Sequence, residues 1–192
     1  RHGFEVEVMP EVMQQNARVA SSAIRAALLT GDLATAGRLL GRAYSISGRV
    51  VHGDKLGREL GFATANIRLR HNRAPFTGIF AVRLYGIGED AVPARRNFRA
   101  DNDSSANRQA SAFYHGVASL GVRPTVKSAG EAPLLEVHLF DFSGELYGRH
   151  VRVEFLRKIR DEEKFPDLAT LKAKIAGDCE AARKILLEMD NG

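Results

Sequence analysis

Tyr44-Ser45-Ile46-Ser47-Gly48-Arg49-Val50-Val51 alternates between residues that favour a core and residues that favour water, the period-two signature of a strand with one buried face. The same period recurs in Phe80-Ala81-Val82-Arg83-Leu84-Tyr85, in Leu135-Glu136-Val137-His138-Leu139-Phe140-Asp141-Phe142 and in Val151-Arg152-Val153-Glu154-Phe155. Residues 115–120 and 67–69 add two weaker strands. Several short strands, parted by glycine-bearing turns and with no helix between them, predict an antiparallel barrel that starts near residue 43. After Arg160 the period changes. Leu168, Leu171, Ile175, Cys179, Ala182, Ile185 and Leu186 recur at steps of three and four, so a carboxyl-terminal helix is expected to lay that face on the barrel.

Upstream of the barrel, residues 4–9 read as a strand ended by Pro10, followed by a short polar connection. Ser21-Ser22 offers an N-cap for a helix over 23–29 that Gly31 stops. Asp32 caps a second helix over 33–40, ended by Gly41. Residues 88–111 are rich in Arg, Asn, Asp, Ser and Ala and carry no core pattern. They are expected to form a mobile insertion in a strand-to-strand connection, because they bury too little to offset their ordering entropy.

Composition narrows the function classes. A chain of 192 residues suffices for one core plus an appendage, and 44% hydrophobic with 27% charged residues argues against wholesale disorder. The single cysteine, Cys179, excludes a disulfide within the chain and suits a reducing, cytoplasmic setting; no Cys/His spacing suggests zinc. No apolar run approaches a membrane span, and Arg1-His2-Gly3-Phe4-Glu5-Val6 lacks the charged-then-apolar order of a signal peptide. Because it opens without methionine on a strand-like segment, the chain is expected to be cut from something longer. The net charge of +5 is spread over loops and helices, densest at Arg95, Arg96 and Arg99, rather than gathered on an aromatic-studded face. That distribution suits a small anionic nucleotide and argues against nucleic acid.

Chemistry concentrates in two places. Gly53-Asp54-Lys55-Leu56-Gly57-Arg58-Glu59-Leu60-Gly61-Phe62-Ala63-Thr64-Ala65-Asn66 is a glycine-punctuated basic loop that runs into a Thr-x-Asn pair. Glycines let the backbone approach phosphate oxygens, Lys55 and Arg58 supply charge, and Thr64 and Asn66 supply neutral oxygens for a hard cation. It is not a P-loop, since no Gly-Lys-Ser/Thr opens a helix, and glycine spacing alone equally describes a turn-rich hairpin connection. The second place is Glu136 and His138, which share the polar face of their strand. A glutamate on such a face is ordinarily solvated, and His138 reads as a polar or packing neighbour.

The first stretch resembles the glycine-rich flap and Pro-Thr-Ala-Asn signature of riboflavin kinases, the flavokinase module of bacterial bifunctional riboflavin kinase/FMN adenylyltransferases, with Ala63 where the family carries proline. The resemblance continues, in the family's order, through Gly121-Val122-Arg123-Pro124-Thr125, the block from Leu135 to Phe142, Leu146-Tyr147-Gly148 and Arg160-Asp161-Glu162-Glu163-Lys164-Phe165. Together these blocks span about residues 43 to 188.

The resemblance implies a fold that is mainly β with α. Residues 43–192 would form a riboflavin kinase domain, a six-stranded antiparallel Greek-key barrel with a carboxyl-terminal helix. Residues 1–42 would be a short α/β remnant of the adenylyltransferase domain, where Ser22 and Arg25 match a Ser-Ser-x-x-Arg block that helps hold ATP phosphates. It further implies ATP-dependent phosphorylation of riboflavin to FMN, with Glu136 as catalytic base. ATP would be bound by Gly53, Lys55, Gly57, Arg58, Thr64 and Asn66, with Mg2+ on Thr64 and Asn66. Riboflavin and its product FMN would lie against Arg160, Glu163 and Phe165, flanked by Arg123. The family's adenylyl-transfer site carries a His-x-Gly-His block that this sequence lacks, so the chain is expected to make FMN but not FAD, although its parent would do both. The remnant would dock on the barrel or self-associate. The alternative is a barrel that binds flavin or nucleic acid without catalysis.

Overall fold

The computed structural model describes residues 7, 10–14, 17–53, 57, 60–69, 74–87, 113–122 and 133–191. The expected strand at 4–9 (apart from Glu7), Lys55, Arg58, Arg123 and the insertion at 88–111 lie outside these residues.

Six strands close into a barrel: β3 (Ser45–Val51), β4 (Thr64–Arg68), β5 (Gly78–Tyr85), β6 (Phe113–Val122), β7 (Pro133–Leu139) and β8 (His150–Arg160). Their order around the barrel is β3-β4-β7-β6-β5-β8, and every described pairing is antiparallel. Strands β5, β6 and β7 follow one another as a meander, and β8 returns to lie beside β5, which is a Greek key. Closure leaves no free sheet edge.

Alternation explains which face points in. Phe80, Val82 and Leu84 of β5 are fully buried, as are Leu135 and Val137 of β7 and Val151, Val153 and Phe155 of β8. The residues between them, such as Arg83, Glu136 and Arg152, face outward. Phe76, Phe80 and Phe155 meet edge-on with ring centroids 4.9 to 5.4 Å apart, the geometry that the aromatic quadrupole favours. Each such buried side chain contributes roughly 1.5–3 kcal/mol relative to exposure.

Ahead of the barrel, β1 (Met13–Gln14) and β2 (Ala17–Arg18) form a two-stranded hairpin where the sequence suggested only a connection. Helices α1 (Ser21–Leu29) and α2 (Leu33–Leu40) follow. Ala27, Leu28, Leu33 and Ala36 belong to the same hydrophobic cluster as the barrel interior, so the appendage shares the barrel's core. The cap of α1 corrects the sequence reading. Ser21 and Ser22 are inside the helix, and the N-cap is Ala20, whose extended backbone (φ −132°, ψ 145°) comes with no side-chain cap hydrogen bond. Asp32 does cap α2 by accepting from the Thr35 N–H, and Gly41 ends it at φ 68°.

The last helix, α3 (Leu168–Asp190), lies on the outside of β5, β6 and β8. Ala182 and Leu186 pack against Ala81, Val117 and Phe140. The helix begins at Leu168, several residues after the period-two pattern ends, for two reasons. Arg160 is still the last residue of β8, paired with Ile79, and Pro166 keeps the residue before it out of the helical region. Asp167 then caps α3, accepting from the Thr170 N–H at 2.8 Å. Leu168, expected on the packed face, is 57% exposed, while Asp178 on that face is buried.

Candidate active site

Residues directly opposite each other in antiparallel strands point to the same side of the sheet. On the outer surface of this barrel that rule builds one row across five strands: Asn66 opposite Glu136, Glu136 opposite Ser119, Ser119 opposite Ile79, and Ile79 opposite Arg160. One step along, Thr64 lies opposite His138. Glu136, Ser119, Ile79 and Arg160 of this row line a cavity of about 710 Å³; Asn66, at the end of the row, does not. Gly57, Thr64, Glu136, Arg160, Glu163 and Phe165, six residues singled out from the sequence, all line it. Val117, Leu134 and Ile175 give it apolar walls, so it offers a flat heteroaromatic ring a dry slot with polar groups at its rim. A smaller cavity of about 280 Å³ lies behind the turn after β7, and Thr64 and His138 line both.

Asn66 is only 5% exposed, and its Oδ1 has no hydrogen-bond partner among the described residues. A buried carbonyl oxygen left in this state costs stability unless something accepts its lone pairs, so it is a natural place for a cation or donor. Gly53 packs straight onto the Asn66 carboxamide, where any Cβ would overlap it. At Gly57 a Cβ would crowd the Phe62 carbonyl and the Thr64 hydroxyl. The glycines therefore bring the loop backbone onto the Thr64–Asn66 edge. Among the described residues no cluster of three His, Cys, Asp or Glu side chains could hold a metal, so neutral oxygens are the donors on offer here.

Arg160 behaves differently from a free substrate hand. Its Nε and Nη2 donate to the two oxygens of Asp178 at 2.8 and 2.7 Å, Nη1 donates to the Asp161 carbonyl at 2.8 Å, and Nη1 stands 3.3 Å from Glu163. The Asp178 hydrogen bonds lead the causes that push the Arg160 guanidinium above its usual range. Its plane stands 5.6 Å from the Phe165 ring. The fork thus ties the end of β8 to α3 and props the loop that carries Glu163 and Phe165. Ser119 Oγ donates to Glu162 at 3.0 Å, laying that carboxylate over Gly121, where a side chain would overlap it.

Three of these residues escaped the sequence reading. Asp178 left a signal, an acid inside the apolar stripe Leu171, Ile175, Ala182. Ser119 left none, being a polar residue at an ordinary polar position; Glu162 stood inside the Arg160–Phe165 block without being singled out in it. Ser22 and Arg25 are exposed on α1 and line neither cavity.

A family model for riboflavin kinase (Flavokinase) matches residues 40–186. The chain belongs to the riboflavin kinase family. Among curated relatives, the bifunctional riboflavin kinase/FMN adenylyltransferase of Escherichia coli K12 is 42% identical over 183 residues, covering 95% of this chain and 51% of that protein. The Haemophilus influenzae protein of the same name is 43% identical over 183 residues, covering 95% of this chain and 52% of its own length. The chain therefore spans about half the length of the riboflavin kinase relatives it matches. Among solved structures, one described as a macrolide-efflux protein from Streptococcus pneumoniae superposes with a TM-score of 0.69 at 31% identity, covering 91% of this chain and 50% of that one. The barrel and the row on its outer face fall within the span matched to riboflavin kinase, as does α3 up to Leu186.

Proposed function

We propose that this chain transfers the γ-phosphoryl group of ATP to the terminal ribityl hydroxyl of riboflavin, giving FMN and ADP. The observation that carries the proposal is Glu136 on the cavity floor, directly opposite the buried Asn66 whose oxygen has no partner among the described residues. Two cavities that meet at Thr64 and His138 suit a reaction in which two substrates must touch. Riboflavin's ring would enter the larger one, against Phe165 and the apolar wall, with Arg160 and Glu163 at its polar edge. ATP would lie at the Thr64–Asn66 edge beside Gly53 and Gly57, with Lys55 and Arg58 the cations that the sequence offers its phosphates.

The donor set at the Thr64–Asn66 edge fits Mg2+, a hard cation that keeps several waters and needs few protein oxygens; Thr64 Oγ1 and Asn66 Oδ1 would hold it. When bound, it neutralises polyphosphate charge. Glu136 does the proton work. As the ribityl oxygen bonds to the γ-phosphorus, its proton passes to the Glu136 carboxylate, the bond from the γ-phosphorus to the bridging oxygen breaks, and ADP departs with that electron pair. Ser119 and Asn66 flank Glu136 on the row and fix the surface against which the hydroxyl must present itself. A barrel that merely binds flavin has no need of a carboxylate facing a buried carboxamide whose oxygen has no partner among the described residues.

Residues 1–42 are the end of an adenylyltransferase module in this reading, and the full-length relatives' names pair the two activities. The setting is the cytoplasm, where Cys179 stays reduced; no described helix is long and apolar enough to cross a membrane. Label position tests the reaction class: phosphorus from γ-labelled ATP should appear in the flavin, and phosphorus from α-labelled ATP should not. Label in neither flavin nor ADP, or release of γ-phosphate to water alone, would overturn the proposal.

A further inference from the structure

Thr64 and Asn66 can meet a nucleotide-bound cation only if the backbone entering β4 has a fixed direction, and the residue that enters it is Ala63, which has no side chain to anchor it. The anchor comes from across the sheet. His138 Nδ1 lies 2.9 Å from the Ala63 carbonyl oxygen. A carbonyl only accepts, so the ring proton of that bond sits on Nδ1. The imidazole has little freedom to leave. Its ring meets Phe62 at 5.5 Å and Phe140 at 5.9 Å, both edge-on, and its residue stands directly opposite Thr64 and two places from Glu136. His138 is also, with Thr64, on the wall that the two cavities share. A histidine that only filled space would need no hydrogen bond to the peptide before the Thr-x-Asn edge.

We propose that His138 is a positioning residue of the nucleotide edge: its Nδ1–H holds the Ala63 carbonyl and thereby aims the Thr64 and Asn66 oxygens. It does by a hydrogen bond what a proline ring at position 63 would do by fixing φ, and among the described residues no hydrogen bond uses the Ala63 N–H that a proline would remove. The inference rests on the riboflavin kinase reading only for the identity of the nucleotide.

Three variants isolate the contact. His138→Phe keeps a ring and removes the donor; His138→Asn keeps an amide N–H near the place of Nδ1–H; the double variant His138→Phe/Ala63→Pro restores the restraint covalently. Loss of one backbone-anchoring hydrogen bond should weaken Mg-ADP binding by roughly 3- to 10-fold in titration calorimetry and raise the KM for Mg-ATP by the same factor. The KM for riboflavin should change less than the KM for Mg-ATP. His138→Asn and the double variant should each recover most of the loss. In the unliganded protein at neutral to alkaline pH, 15N-detected NMR should find the His138 proton on Nδ1.

Equal weakening of both substrates in His138→Phe, an unchanged Mg-ADP affinity, or an Nε2-protonated neutral ring would each overturn the proposal. If His138→Phe fails to fold, the tautomer and the His138→Asn titration still decide it. Absence of FMN formation by the starting protein would sink the kinase reading instead, while the calorimetric and NMR arms would continue to test His138.

Discussion

Glu136 and Asn66 face each other across β7 and β4, and the account assigns them different tasks that two substitutions separate. Glu136→Gln keeps shape and loses proton affinity, so turnover should fall by about 10²- to 10⁴-fold, the usual share of a general base. Riboflavin binding, followed by quenching of flavin fluorescence, should change little; turnover at the wild-type rate would remove Glu136 from the role. Asn66→Ala should instead raise the Mg2+ concentration needed for half-maximal activity. Gly53→Ala should do the same with the carboxamide still present, because the added methyl displaces it. A Mg2+ titration unmoved by both changes would show that Asn66 does not face the metal. Alternation made the outward direction of Glu136 and His138 legible in the sequence. The burial of Asn66 was not, since an outward polar residue is normally wet and the Gly53 backbone that packs on it is a contact thirteen positions away in sequence.

At the scale of elements, α3 is fastened at two places by charge. Near its middle Asp178 receives the Arg160 fork, and at its carboxyl end Asp190 meets Arg83 of β5 and stands 3.3 Å from His115 of β6. Burial is the largest influence on the His115 imidazole and pushes its pKa below the ordinary value; Arg83 pushes the same way and Asp190 opposes. A histidine whose folded pKa is depressed contributes stability that is complete above the unfolded value of about 6.5 and is lost as pH falls through it toward the lower folded value. The melting temperature should therefore drop more steeply below about pH 6.5 in the wild type than in His115→Gln. Parallel curves would mean that His115 titrates as it does in the unfolded chain. The amphipathic stripe announced α3 itself, whereas its starting point and the hairpin at 13–18 were hidden. The start depends on β8 continuing to Arg160 to pair with Ile79, and a two-residue strand has too few residues to show a period.

For the whole molecule, period-two segments and their turns were enough to predict a barrel, because closure is the solution open to many short strands without intervening helices. The resemblance implied a Greek key but not the strand order, since pairing of β4 with β7 and β5 with β8 joins residues far apart in the chain. The same resemblance assigned the flavin side to Arg160, and here the structure adds what the motif could not: the guanidinium is already committed to Asp178. That the appendage shares the barrel's core, through Ala27, Leu28, Leu33 and Ala36, is a tertiary fact that no local pattern carries. With no His-x-Gly-His block in the sequence, FMN supplied with Mg-ATP should yield neither FAD nor pyrophosphate. The most direct test of the central claim is to incubate the chain with riboflavin and Mg-ATP and resolve riboflavin, FMN and FAD by chromatography over time. Steady accumulation of FMN with matching ADP, and no FAD, is the predicted result; riboflavin left unchanged while the protein binds it would contradict the account.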